Sequence, residues 1–560
     1  MSDAGAGLVP AATLERLTPA PLRVAPLPVV HPNRDHGISP WIDEQIWGHR
    51  LWDAQSPWLV FLEFLTVADA RYREGALLSD GSSYPLTFKP EQRLYLRHIL
   101  FNSDDVMRVA EQQPDSGTAW EAWLAKVAER AQAVPVRDLS YLRERFHTFH
   151  EFARVVNLLR GAVVEQQSNK RWSSRYLFPF GRDAIYEDLN LKGSREYIYF
   201  GRTGELLYLM LSRASSRDAV RPIVARMVAD DGRWNRLVAL LQPDESKGDQ
   251  QTRGKSYLPY ESHPVFDAFA EDWCSIGKLQ LPQYDAYPHH VTLAGLHLLR
   301  YYMAVASAWA GAATTEDGDE LHMVCEIVAP RKTLVRELAL ASYARNDGLS
   351  SRAVEQLIAR IGGSDDWKRA NDGPGAFVQC REYLQRLVWW GKDYDGANDP
   401  DALLAALRIE ALKGHRAHVG QFHRVMGREI GLVSRRGTTR FRYAPTDQLI
   451  RTLLFANVER RMELNEFLAR LFERYGFVIG DREAERVLRP EDFDKKVFQA
   501  NAKRLEQRLS SLGLLRRLSD ACAYVVNPYA PAVSAISVSG ENLSSSTRGE
   551  IGVAVLEDAR

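Results

Sequence analysis

Residues 444–528 constrain the fold most, because they carry a fixed order of helix signals followed by a short hairpin. Thr446-Asp447-Gln448-Leu449-Ile450 opens one helix, residues 463–475 predict a second and residues 495–512 a third. Leu514-Leu515-Arg516-Arg517-Leu518-Ser519-Asp520 then reads as one arm of a hairpin that Cys522 to Val526 closes. Three helices and a hairpin in that order describe a winged helix, a module that binds DNA or docks a protein partner. In the third helix Phe498, Ala502, Leu505, Leu509 and Leu512 recur at i+3 and i+4 and predict the buried stripe. That leaves Asn501, Lys503, Arg504, Gln507 and Arg508 outward, where a helix-turn-helix reader presents Asn, Gln and Arg to base edges. Against this, residues 476–494 are longer than a tight turn and carry Asp481, Glu483, Glu485, Glu491, Asp492 and Asp494, which repel phosphate.

Charge becomes local just upstream. Lys413, Arg416, Arg424, Arg428, Arg435, Arg436, Arg440 and Arg442 are opposed only by Glu429 as far as Tyr443. Residues 430–433 and 438–443 read as two strands around Ser434-Arg435-Arg436-Gly437. Lys plus Arg and Asp plus Glu both total 72, so no global field draws the protein onto a polyanion, and a binding surface has to be a patch of this kind. Clustered Arg releases counterions when it meets phosphates. Arg424, Arg428, Arg435, Arg436, Arg440 and Arg442 are therefore candidate phosphate contacts on double-stranded DNA. Lys503, Arg504, Gln507 and Arg508 are candidates to approach bases. The competing reading is a solvated hairpin, or Arg paired with acids elsewhere.

The remaining chain of 560 residues reads as mainly α and multi-domain. Residues 1–40, rich in Pro and Ala, predict an extended or disordered start. A helical N-terminal domain is expected over 41–242, a polar linker or long loop over 243–259, a helical middle domain over 260–412, the basic hairpin plus winged helix over 413–528, and a disordered tail over 529–560. Trp41, Trp47, Trp52 and Trp58 do not share one helical face and read as packing anchors. Pro57 starts a helix. Leu142, Phe146, Phe149, Ala153, Val156, Leu159 and Val163 predict one long amphipathic helix. Residues 291–313 are apolar almost all round, but Arg300 near the middle argues for a buried core helix over a membrane span. Cys274, Cys325, Cys380 and Cys522 have no CxxC spacing, which fits a reducing compartment. Met1-Ser2-Asp3-Ala4-Gly5 shows no signal-peptide pattern, so the expectation is a cytoplasmic protein without membrane attachment.

Catalytic signals are weak. Lys170-Arg171-Trp172 through Arg182 interleaves basic and aromatic residues that suit single-stranded nucleic acid, although Asp183, Glu187 and Asp188 dilute the charge and favour a packed hairpin. Gly254-Lys255-Ser256 imitates the end of a phosphate-binding loop, but Gly248 is misplaced and Tyr257-Leu258-Pro259 cannot continue as the required helix. Glu245-Ser246-Lys247 lacks the strand that a nuclease signature needs. His147 and His150 have no evident third ligand. Glu261, His263, Asp267 and Asp285, with Asp272, His289, His290 and His297 nearby, supply the alternative of a metal-dependent nuclease. No catalytic residue, bound metal or cofactor is assigned.

Three stretches carry a resemblance: Trp41-Ile42-Asp43-Glu44-Gln45-Ile46-Trp47-Gly48-His49-Arg50, Phe200-Gly201-Arg202-Thr203-Gly204-Glu205-Leu206-Leu207-Tyr208-Leu209, and Arg474-Tyr475-Gly476-Phe477-Val478-Ile479-Gly480-Asp481. They resemble an uncharacterised component of bacterial methylation-associated antiphage defence systems, in which a DNA methyltransferase, ATPases and other subunits separate host from phage DNA. The resemblance implies an accessory subunit that binds DNA or other system subunits, or a scaffold for a methyltransferase or ATPase without DNA affinity. It transfers no catalytic residue.

Overall fold

The computed structural model describes residues 17–19, 22, 38–48, 51, 56–79, 86–89, 103–130, 139–161, 182, 203–229, 232–242, 253–256, 258–311, 321–329, 332–436, 439–518 and 523–530. They are mainly helical. α1 (Ile38–Trp47) buries Trp41 and Trp47. Trp47 donates its indole N–H to the Tyr302 carbonyl at 2.9 Å and stacks on the Tyr302 ring, the packing-anchor role expected of it. Trp52 lies outside the described residues. α2 (Pro57–Arg73) opens with Pro57 at its first position and the Ser56 hydroxyl accepting from Leu59 N. It is buried from Leu59 to Ala70, so it is an interior helix. β1 (Leu86–Phe88) follows.

α3 (Ser103–Gln112), α4 (Ser116–Arg130), α5 (Tyr141–Arg145) and α6 (Phe149–Gly161) enclose a separate small core around Trp120, Trp123, Phe149 and Phe152, closed by Val238 and Leu241. The single long helix expected from Leu142 is broken at Phe146, whose extended backbone (φ −117°, ψ 128°) ends α5. Phe146 gains an edge contact with Phe152, 5.5 Å between centroids, that a continuous helix would have to reposition. His150 Nε2 meets the Ala110 carbonyl at 2.9 Å, a tie to α3. The basic–aromatic stretch 170–181 lies outside the described residues.

α7 (Thr203–Arg213) crosses α2 at Gly204. A Cβ there would stand 2.6 Å from Val60 O and from Phe64 N, so only glycine permits this approach. Gly204 N in turn donates to Glu63 at 2.7 Å. β2 (Arg253–Ser256) pairs antiparallel with β1, and buried Ser256 donates to the Glu205 carboxylate. The end of the segment read as a linker is thus a strand, and Gly254-Lys255-Ser256 is sheet, not a phosphate cradle.

α8 (Pro264–Gly277) packs on α9 (Gln283–Trp309), the 27-residue helix at the centre of the main core. Among the described residues no helix is long and apolar enough to cross a membrane. β3 (Met323–Val324) precedes α10 (Leu334–Asp347), α11 (Leu349–Gly363), α12 (Pro400–Ala417) and α13 (Phe422–Glu429). The hairpin of β4 (Val433–Ser434) and β5 (Arg442–Tyr443) pairs Val433 with Tyr443 and Ser434 with Arg442. One hydrophobic cluster takes side chains from Trp41, Phe64, Leu207, Trp273, Leu298, Leu407, Leu453 and Val525, so the stretches 41–242, 260–412 and 413–528 share it.

The last stretch runs α14 (Asp447–Asn457), β6 (Arg461–Glu463), α15 (Leu464–Tyr475), β7 (Phe477–Val478), α16 (Asp481–Val487), α17 (Lys495–Ser511), β8 (Leu515–Arg517) and β9 (Ala523–Val526). Thr446 caps α14 and Asp494 caps α17, where side-chain oxygens satisfy amides that the helix leaves open. β6, β9 and β8 form an antiparallel sheet in that spatial order. β7 leaves this unit to pair in parallel with β3.

Candidate nucleic-acid interface

α17 has three distinct faces. Phe498, Leu505 and Leu509 are buried among apolar neighbours, as their spacing predicts. A second edge, which sequence reading assigned to solvent, is turned inward. Asn501 is buried: its Oδ1 accepts from Ile327 N at 2.9 Å, and its Nδ2 donates to Cys325 O and Ile479 O, both at 3.0 Å. Arg504 donates Nε to Ile327 O at 3.1 Å, and burial pulls its pKa down. Arg508 donates Nε to Asp447 at 2.9 Å and Nη1 to Pro445 O at 3.3 Å. Arg504 and Arg508 are therefore holding side chains for Ile327 and for residues 445–447. They were misplaced because helical spacing reports one apolar stripe and cannot show that a distant segment covers the next.

The third face is open. Lys496, Gln499, Lys503, Gln507 and Ser510 are exposed along it, so Lys503 and Gln507 stand where the sequence put them. The exposed positions of α17 contain no carboxylate. Glu506, at the border, is held by Arg517 at 2.6 Å, and Asp481 accepts from Gln499 at 3.0 Å. Arg489 engages Glu491 and Asp492. Of the acids that argued against phosphate, Glu491 and Asp492 are thus ion-paired, both to Arg489.

The hairpin divides likewise. Arg428, Arg435, Arg436 and Arg440 are exposed. Arg424 is half-buried, and both it and Arg435 lie over the Phe441 ring, 5.8 and 5.6 Å from its centroid. Arg442 is not a surface cation: it is buried, paired with the Glu326 carboxylate, and donates to Arg436 O at 3.0 Å. Glu326, fully buried, also receives Arg336 at 2.9 Å. A charge without a partner is costly inside a protein, which explains why Arg442 and Glu326 occur together there.

No family model, no curated protein and no solved structure matches the chain.

The acids and histidines named for metal chemistry do not converge. His263 Nδ1 accepts from Val265 N at the start of α8, and Asp267 accepts from Ser215 N at 2.7 Å. Glu261 and Asp285 are exposed. Among the described residues no group of three or more His, Cys, Asp or Glu is placed to hold a metal ion. Asp272 and His297 do meet, at 2.8 Å, with Tyr475 donating to the same carboxylate at 2.7 Å and Arg474 to its other oxygen. Burial raises the Asp272 pKa, but His297, Arg474 and Tyr475 outweigh it and hold the carboxyl below its usual range. Arg474 and Asn457 also line a cleft of about 680 Å³ between α8, α14 and α15, its charges mixed: Lys278 and Arg470 against Glu459 and Glu473.

One further constellation looks catalytic on paper. His415 lies 2.8 Å from Asp43 and 3.1 Å from Ser350. Ser350 is 3% exposed and His415 fully buried, with Trp47 stacked on the imidazole, so substrate has no access. This trio joins α1, α11 and α12.

Proposed function

We propose that residues 446–527 form a winged helix that binds double-stranded DNA, and that the chain is a non-catalytic accessory subunit of a bacterial antiviral defence assembly. The observation that carries the DNA reading is the open face of α17, with Lys496, Lys503, Gln499 and Gln507 exposed and no carboxylate among its exposed positions. Three longer helices, α14, α15 and α17, and the sheet of β6, β9 and β8, with the first strand beside the last, support the winged-helix reading; β7 and the short α16 are inserted between α15 and α17. An α-helix enters the wide major groove of B-form DNA, where Lys and Gln meet base edges and phosphates. Arg428, Arg435, Arg436 and Arg440 add phosphate contacts from the hairpin. The defence setting rests on the resemblance of residues 41–50, 200–209 and 474–481, and partner subunits such as a methyltransferase or ATPase come with it.

The test is fluorescence anisotropy of a labelled duplex at low and moderate salt. Salt-sensitive binding that Lys503→Ala/Gln507→Ala weakens at least tenfold supports the reading. An inert protein at low salt overturns it and leaves the module as a docking surface for another subunit.

A further inference from the structure

We infer that the basic hairpin and the open face of α17 engage one DNA duplex as a single surface, with residues 323–327 fixing their spacing and Asn501 as the positioning residue. This rests on the DNA-binding reading above.

Residues 323–327 form a strap whose bonds reach both parts. On one side Met323 N donates to Gly476 O at 2.8 Å and Cys325 N to Val478 O at 2.9 Å, joining the strap to the segment between α15 and α16. Glu326 N donates to Tyr443 O at 3.0 Å, and the Glu326 carboxylate takes the Arg442 guanidinium, which also holds Arg436 O. The backbone of the hairpin tip is therefore tied to Glu326 through one buried side chain. The next residue, Ile327, is bonded at N–H by Asn501 and at its carbonyl by Arg504. Arg508 adds a second attachment of α17 to residues 445–447, immediately after β5.

Only Arg442 and two strap residues separate Arg436 from Asn501. Buried polar groups with their bonding capacity used form a stiff connection, since each alternative geometry leaves a group unsatisfied. Asn501 uses both its donor and its acceptor on backbone, and no apolar residue can replace it. The hairpin is thereby held to the flank of α17 that carries Arg504 and Arg508. A duplex with α17 in its major groove then offers the flanking phosphate backbone to Arg435, Arg436 and Arg440. The deep, narrow major groove of A-form RNA does not admit the helix, so DNA is the duplex favoured.

The test uses the full chain and a labelled DNA duplex of about two turns (~34 Å each). Arg435→Ala/Arg436→Ala, Lys503→Ala/Gln507→Ala and their combination are compared for stoichiometry and salt slope. The expected result is one duplex per chain, with both pairs of substitutions weakening that same site, the α17 pair at least tenfold and the hairpin pair several-fold. The hairpin pair should lower the slope by about 2, at ~0.9 for each phosphate contact. A hairpin variant that binds like the wild type, or a second duplex on the chain, overturns the single surface while leaving the α17 reading intact. Failure of the wild type to bind any duplex overturns that reading instead, and equal affinity for double-stranded RNA overturns the choice of DNA. Positioning is read from Asn501→Ala, measured below its melting transition, with half-buried Arg504→Gln as the second variant. In both, adding the hairpin substitutions should no longer change the slope, whereas the α17 substitutions still weaken binding. A lower melting temperature with the hairpin's share intact would show Asn501 to be structural only.

Discussion

Tyr475 donates its hydroxyl to the Asp272 carboxylate at 2.7 Å, tying the last residue of α15 to α8 across 203 positions of sequence. The phenol also accepts from Asn457 at 2.7 Å, so α8, α14 and α15 meet at one oxygen. The joint is polar and buried, and its members differ in what they leave behind when removed.

Asp272→Ala leaves buried His297 without its carboxylate partner and Arg474 with Glu271 alone, and should cost about 3–5 kcal/mol, the range for breaking a buried charged pair. Tyr475→Phe removes one hydrogen-bonding hydroxyl and should cost about 1–2 kcal/mol. Urea denaturation at neutral pH measures both. A smaller loss for Asp272→Ala than for Tyr475→Phe would contradict this ordering.

Acid should destabilise the protein well above the range in which carboxylates titrate. Burial pushes His290 down to about 3 and His289 to about 4, so both stay neutral in the fold. In the unfolded chain each takes a proton below about pH 6.5. The unfolded state then binds more protons, and stability, complete above that pH, falls as pH drops toward 4. Each buried histidine contributes a loss of roughly 2 kcal/mol by about pH 5. Denaturation midpoints across this window check it, and His290→Gln should flatten the slope; an unchanged slope would remove His290 as a cause.

Gly204→Ala should destabilise by about 1–3 kcal/mol or more, because the added methyl meets backbone of α2 at 2.6 Å. A melting temperature within error of the wild type would mean that α2 and α7 separate freely.

The two kinds of arginine in the hairpin should separate by assay. Arg442→Ala leaves Glu326 short of a partner in the interior and should cost about 3–5 kcal/mol. Arg436→Ala should leave the denaturation midpoint in place and weaken DNA binding with a shallower salt slope. Equal effects of the two on stability would refute the assignment.

Local signals were the legible ones. Thr446 marked a helix start, Pro57 opened α2, and the apolar run within α9 announced an interior helix. Lys503 and Gln507 were placed correctly because they lie opposite the apolar stripe of α17. Asn501, Arg504, Arg508 and Arg442 were not, since their partners lie 174 positions away at Ile327, 177 at its carbonyl, 61 at Asp447 and 116 at Glu326. Spacing along a helix carries no information about which remote segment will lie on its flank. The meeting of Asp272 with His297 was half visible, as both had been singled out, but as metal ligands; Tyr475 and Arg474 supply the hydrogen bonds that make the pair a joint.

The separate core of α3–α6 divides the molecule's breathing. Its aromatic residues, Trp120, Trp123, Phe149 and Phe152, belong to a different cluster from the one around α9. That unit can open while α9 stays wrapped, exposing its amides to solvent exchange at a lower free energy than global unfolding requires. Deuterium uptake should therefore show two populations of slow amides, and an agent that locks α3–α6 would quieten one while leaving the other's rhythm unaltered.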